Sequence, residues 1–209
     1  MNKLINIEGI DGSGKTTIVN RLEEMGFSIF KEIPKTIECI TIEDISKLPL
    51  HERIGYDIRL ALQNGRDCDS FREMLALKYV ELRRAYQPII EDMLKSNDVV
   101  IDRGMLSTMV YGHSLNDEFN VQLEEDNLET KLPDITLYLD INIETALSRL
   151  NNRNDKRNEA YKNKSVMVKN LKTYNLLIHK YKDILNIHRV NANLDIEDVF
   201  TEVINKLGD

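Results

Sequence analysis

Short runs of consecutive apolar residues alternate along the chain with longer stretches in which apolar residues return every three or four positions. Leu4-Ile5-Asn6-Ile7 predicts a short buried strand, and a glycine-rich turn follows it. The spacing from Lys15 to Met25 predicts a helix, and Phe27-Ser28-Ile29-Phe30 a second strand. Residues 33–50 carry Pro34 and Pro49 and read as irregular, with a helix resuming from Leu50 to Gln63. Phe71, Met74, Leu75, Tyr79, Leu82, Tyr86, Ile89, Ile90, Met93 and Leu94 recur at helical spacing, which predicts one long helix, bent near Pro88. Asp98–Asp102 is a third strand and Met105–His113 a short helix. Ile135–Leu139, introduced by Pro133-Asp134, is a fourth strand, followed by helices over 143–153 and 159–183. Ile187–Val190 is a last strand and 196–207 a closing helix. Strands alternating with helices imply an α/β fold, a three-layer sandwich around a mainly parallel, five-stranded sheet. Ligands of such sheets sit beyond the carboxyl ends of the strands.

Composition narrows the class. A chain of 209 residues fits one domain spanning 1–209. No apolar run approaches the roughly 18–20 residues of a bilayer crossing, and the first residues lack a signal-peptide core, so a soluble, cytoplasmic protein is expected. Cys39 and Cys68, without nearby histidines, form neither a disulfide framework nor a zinc motif. The net charge of −7 disfavours a nucleic-acid-coating protein. Residues 149–164 stand apart: Arg149, Arg153, Lys156, Arg157, Lys162 and Lys164 face only Asp155 and Glu159, a local surplus of +4. Such a strip on an acidic chain suits a compact anion. The six acids of 117–129 read as a solvated face.

The strongest chemical signal is Gly9-Ile10-Asp11-Gly12-Ser13-Gly14-Lys15-Thr16, a full match to G-x-x-x-x-G-K-[ST] placed between a strand and a helix. Glycines let the backbone turn its N–H groups inward, where they and the positive helix end bind phosphate. Lys15 bridges the β- and γ-phosphates of ATP, and the Thr16 hydroxyl ligates Mg²⁺. The loop makes the fold a P-loop sandwich and identifies an NTP binder, without naming the acceptor.

Three further segments bear on the acceptor. Ile7 through Thr17, with its Glu8-Gly9 and Asp11-Gly12-Ser13-Gly14-Lys15-Thr16-Thr17, resembles the opening of thymidylate kinases. Val99-Val100-Ile101-Asp102-Arg103, then Ser107-Thr108-Met109-Val110-Tyr111, resembles that family's second motif. Pro133-Asp134-Ile135-Thr136-Leu137-Tyr138-Leu139-Asp140, with Glu144, Ala146, Leu147, Arg149 and Arg153, resembles its third. The resemblance implies a nucleoside monophosphate kinase that uses ATP and Mg²⁺, takes a deoxynucleoside monophosphate, most simply dTMP, and forms a homodimer. It implies that Arg59 holds the acceptor phosphate and that Asp11 accepts the sugar 3′-hydroxyl. It makes 149–164 a helical lid whose Arg149, Arg153 and Arg157 supply catalytic charge, since the loop itself carries none at Gly12 and Ser13. Arg103, ending a strand, is the expected clamp between donor and acceptor phosphates, and Asp102 the group that orients Mg²⁺ through water. Ser107 belongs to the acceptor side with it, and Tyr79 and Tyr111 are candidates to stack on the base.

The chain departs from the family pattern on that side. The position of the base-reading glutamine is Gly112, followed by His113, and Gly104 stands where a larger residue is usual. The family's long-helix arginine has two candidates, Arg83 and Arg84. Glu32 is placed where a deoxynucleoside kinase carries its base, so phosphorylation of a nucleoside 5′-hydroxyl is the competing activity, and a non-catalytic nucleotide binder a third possibility.

Overall fold

The computed structural model describes residues 1–31, 33, 42–64, 68–152 and 163–208. Strands β1 (Leu4–Glu8), β2 (Ser28–Phe30), β3 (Val99–Asp102), β4 (Ile135–Asp140) and β5 (Ile187–Asn191) form one sheet in the order β2-β3-β1-β4-β5. Every pairing is parallel, with Ile7 opposite Asp102 and Leu137. All five residues of β1 are buried, as a central strand covered on both faces requires. Its first amides are tied by side chains from the neighbouring strand starts. Asp98 Oδ1 accepts the Lys3 N–H at 2.7 Å, and Asp134 Oδ2 accepts the Leu4 N–H at 2.7 Å. The Pro133-Asp134 lead-in therefore pins the register of β4 on β1.

The helices are α1 (Lys15–Glu24), α2 (Ile42–Lys47), α3 (Leu50–Asn64), α4 (Asp69–Met93), α5 (Met105–Gly112), α6 (Asp117–Leu128), α7 (Ile143–Asn151), α8 (Lys164–Tyr181) and α9 (Ile196–Gly208). Right-handed crossovers put α1 on one face of the sheet and the helices following β2, β3 and β4 on the other. α9 returns beside α1, where Arg21 pairs with Glu197 and lies 5.2 Å over the Phe200 ring. On the opposite face α4 packs between α3 and α5, and α5 meets α8.

Two helices lie where the hydrophobic pattern predicts none. α2 falls inside the stretch expected to be irregular. α6 covers most of the acidic segment: its outer side is solvated, but its inner side buries Asn120, Leu123 and Asn127. Two of those three are polar, which hides the apolar stripe. Asn116 caps the helix by accepting the Phe119 N–H at 3.2 Å, and Asp117 and Glu118 suit its positive end. α4 runs through Pro88 as one element. α8 begins at Lys164, where the Asn163 side chain accepts the N–H groups of Ser165 and Val166. Residues 153–162, which hold most of the expected lid, lie outside the described residues.

Candidate phosphoryl-transfer site

The site is built at the carboxyl ends of β1 and β3, where the chain leaves the sheet for α1 and α5. Gly14 caps α1 in a left-handed conformation, φ 98°, and Gly12 has φ 83°. A side chain at Gly12 would be strained twice over, because its Cβ would fall 2.6 Å from the Ala146 carbonyl oxygen. α7 thus closes on the loop from behind. Thr16 and Thr17 stand exposed in the first turn of α1. Ser13 is buried, and its Oγ has no partner among the described residues.

Lys15 is buried, with its ammonium donating to the carbonyls of Gly9 and Ile10, each at 2.9 Å. Burial, and next the neighbouring Arg103 cation, lower its pKa from 10.5 to about 8, against the opposing pull of Asp11, Asp102 and Glu8. Two cations therefore converge on one glycine loop, an arrangement that favours a polyanionic ligand.

Arg103 enters from the end of β3. Its Nη2 donates to Asp11 Oδ1 at 2.5 Å, and its Nη1 approaches the Gly9 carbonyl and Ser107 Oγ, both at 3.4 Å. The guanidinium lies 5.0 Å over the ring of Tyr111, whose hydroxyl donates to Asp11 Oδ2 at 3.0 Å. Burial raises the Tyr111 phenol, so it stays a donor at neutral pH. Asp102, one residue earlier, has a buried Oδ1 with no partner among the described residues. An orphaned carboxylate oxygen at the end of β3 and an exposed hydroxyl, that of Thr16, in the first turn of α1 are oxygen donors of the kind that suits Mg²⁺ and its water shell.

Beneath these groups lies a buried polar network. Glu8, fully enclosed, accepts the N–H groups of Gly104 (2.8 Å) and Ser107 (3.2 Å) on Oε1. Its Oε2 accepts the Ser107 hydroxyl at 2.5 Å and the Tyr174 hydroxyl at 3.2 Å. Burial, and then the Glu8 charge, push the Tyr174 phenol well up. Neither Glu8 nor Tyr174 was a candidate site residue on sequence grounds. The available signal was an acid at the end of a buried strand, directly before Gly9.

The remaining predicted residues are distributed as follows. Arg149 on α7 donates to the Leu194 carbonyl at 3.0 Å, and its Nη1 lies 3.9 Å from where Gly14 would carry a Cβ, so it flanks the loop. Arg153 and Arg157 lie outside the described residues, as does Glu32. Arg59 is half-buried on α3, and Tyr79 half-buried on α4 against the cluster of Leu4, Ile54, Ile58, Leu82 and Ile101. Gly112 turns into helix packing: a Cβ there would meet the Ala76 Cβ at 2.4 Å. His113 follows the end of α5, its carbonyl accepting from Lys169 at 3.3 Å; burial and then the Lys169 charge lower its pKa. Of the two long-helix arginines, Arg83 is the buried one. It donates to Asn127 Oδ1 at 2.6 Å and Thr108 Oγ1 at 2.5 Å, whereas Arg84 pairs at the surface with Asp126 and Glu129.

Comparison with known proteins places this geometry in company. Residues 7–203 match the family model described as thymidylate kinase. The chain is 34% identical to a probable thymidylate kinase of Methanococcus aeolicus, over all of this chain and 97% of that one. It is 31% identical to a thymidylate kinase of Buchnera aphidicola, over 94% and 90%. Among solved structures, the thymidylate kinase of Candida albicans superposes with a TM-score of 0.74 at 20% identity, covering 99% and 91%. A deoxyadenosine kinase of M. mycoides superposes at 0.65 with 19% identity, covering 98% of each chain. At those identities the two structures speak to the fold.

Proposed function

The chain belongs to the thymidylate kinase family and is thereby an ATP-dependent nucleoside monophosphate kinase, and from that premise we propose how its residues carry the γ-phosphoryl group of ATP to dTMP. The products are ADP and dTDP. The acceptor is a phosphate oxygen already ionised at neutral pH, so no strong general base is needed. What the reaction requires is positive charge around the transferring group and exclusion of water.

In this reading the loop amides and Lys15 hold the β- and γ-phosphates of ATP, with Gly9, Gly12, Ser13, Gly14, Thr16 and Thr17 lining the donor side. Arg103 bridges donor and acceptor phosphates. Arg59 receives the acceptor phosphate from α3. Asp11 keeps Arg103 oriented and accepts the deoxyribose 3′-hydroxyl on its carboxylate. Ser107, Tyr111, Tyr79 and His113 make up the acceptor side, while Gly112, expected there, is turned into the packing against Ala76. Arg149, with Arg153 and Arg157 of the lid, adds charge on the donor side and closes the site. Thr16, and Asp102 through water, would hold Mg²⁺, which would neutralise charge on the phosphate oxygens. The enzyme acts as a homodimer in the cytoplasm; no helix among the described residues is long and apolar enough to cross a membrane.

The observation that carries the reading is the convergence of two cations on one glycine loop: Lys15 on the Gly9 and Ile10 carbonyls, and Arg103 from β3 on Asp11. A coupled assay of ADP release across the four dNMPs, with thymidine as a fifth acceptor, tests it. Turnover greatest with dTMP is expected. Turnover with thymidine but with no dNMP would move the activity to a deoxynucleoside kinase.

A further inference from the structure

We infer that Glu8 is the positioning residue for Arg103, holding its backbone in the one conformation that delivers the guanidinium to the phosphate site. This inference rests on the kinase reading above and adds to it a residue that never touches substrate.

Arg103 has φ 72°, a left-handed conformation that a side-chain-bearing residue adopts only at an energetic cost. Such a conformation persists where surrounding contacts over-determine it. Here they come from the last two residues of β1. The Ile7 carbonyl accepts the Arg103 N–H at 3.0 Å, and the Glu8 carboxylate accepts the next N–H, that of Gly104, at 2.8 Å. The strained residue is therefore gripped on both sides by one rigid central strand. Gly104 also begins α5, with no side chain of its own to cap it. Glu8 supplies the cap from outside, taking the Gly104 and Ser107 amides on a single oxygen. The residue after Glu8 is Gly9, whose carbonyl faces the Arg103 Nη1. Backbone and tip of Arg103 are thus both referred to the segment that becomes the phosphate loop. The second oxygen, through Tyr174, ties the same joint to α8, the helix that follows the lid.

The role depends on reach rather than on charge. Glu8→Gln keeps an oxygen for the two amides, and the Ser107 and Tyr174 hydroxyls turn to accept from its amide nitrogen. Glu8→Asp keeps the charge but falls one methylene short. With ATP and dTMP, Glu8→Gln is expected to keep kcat within about threefold. Glu8→Asp is expected to lose about 10- to 100-fold in kcat, the scale of a misplaced catalytic group, with the KM for ATP within about twofold. Glu8→Asp at full kcat, or Glu8→Gln as impaired as Glu8→Asp, overturns the inference. Because Glu8→Asp disturbs a buried network and its fold is at risk, amide exchange in the unaltered chain is the second measurement. Gly104 is expected to exchange as slowly as the amides of β1, and exchange at the rate of an open loop overturns the inference without any variant. If the unaltered chain turns over no dNMP, the kinase reading fails and this role falls with it. Turnover by the unaltered chain together with an unprotected Gly104 rejects Glu8 alone.

Discussion

Arg103 Nη2 stands 2.5 Å from Asp11 Oδ1, a bond that joins the end of β3 to the middle of the glycine loop across 92 positions of sequence. Both side chains are about three-quarters enclosed, at 30% and 24% exposure, so the pair is less screened than a surface ion pair. Asp11→Asn removes the charge that aims Arg103 while keeping the size of the side chain. The expected result in steady-state kinetics is a kcat lower by about tenfold or more with dTMP, and a smaller change in the KM for ATP. An Asp11→Asn enzyme with unchanged kcat would show that Arg103 is aimed by other contacts.

Lys15 gives the site a pH dependence whose sign follows from its environment. In the folded chain its ammonium loses its proton near pH 8, whereas in the unfolded chain it keeps it to the usual 10.5. Between those values the unfolded chain binds more protons, so stability rises with pH across the window, and the burial penalty is felt in full below it. Urea midpoints should increase from about pH 8 to 9 in the unaltered chain, before the raised phenols of Tyr111 and Tyr174 act in the opposite sense near pH 10, and this increase should vanish in Lys15→Met. Binding runs the other way: kcat/KM for ATP, which reports the free enzyme, should fall above about pH 8 as the cation is lost.

Gly104 and Asn6 occupy one volume. A Cβ on Gly104 would lie 1.9 Å from Asn6 Nδ2 and 2.7 Å from Asn6 Cγ. Gly104→Ala should therefore destabilise the protein by about 1–3 kcal/mol, the range of an overpacked core. Asn6→Ala in the same chain removes the clash, so the double variant should be more stable than the sum of the singles predicts. Thermal or urea unfolding of the four chains measures this, and simple additivity would count against the contact.

Arg149 reaches from the loop at Gly14 to the carbonyl of Leu194 after β5. The proposed role on the donor side makes a split in kinetic constants its test. Arg149→Ala should raise the KM for ATP about tenfold, while the KM for dTMP stays within about twofold. The reverse pattern would move Arg149 to the acceptor side.

The alternation of strands and helices, the phosphate loop and the strand-end Asp102-Arg103 were legible along the chain, because each is a local property. Period-3.6 and continuous apolar runs reflect burial of nearby residues, and the loop's glycines answer to backbone sterics within eight positions. α6 escaped because its buried face carries Asn120 and Asn127, whose burial is satisfied by partners elsewhere in the chain: Ser114 for the first, Arg83 for the second. The burial of Arg83 rather than Arg84, the turning of Gly112 toward Ala76, and the enclosure of Glu8 under Gly104, Ser107 and Tyr174 came only with the tertiary structure. Each depends on which distant surfaces meet when parallel strands far apart in sequence are set side by side, and no periodicity along a single segment encodes that meeting.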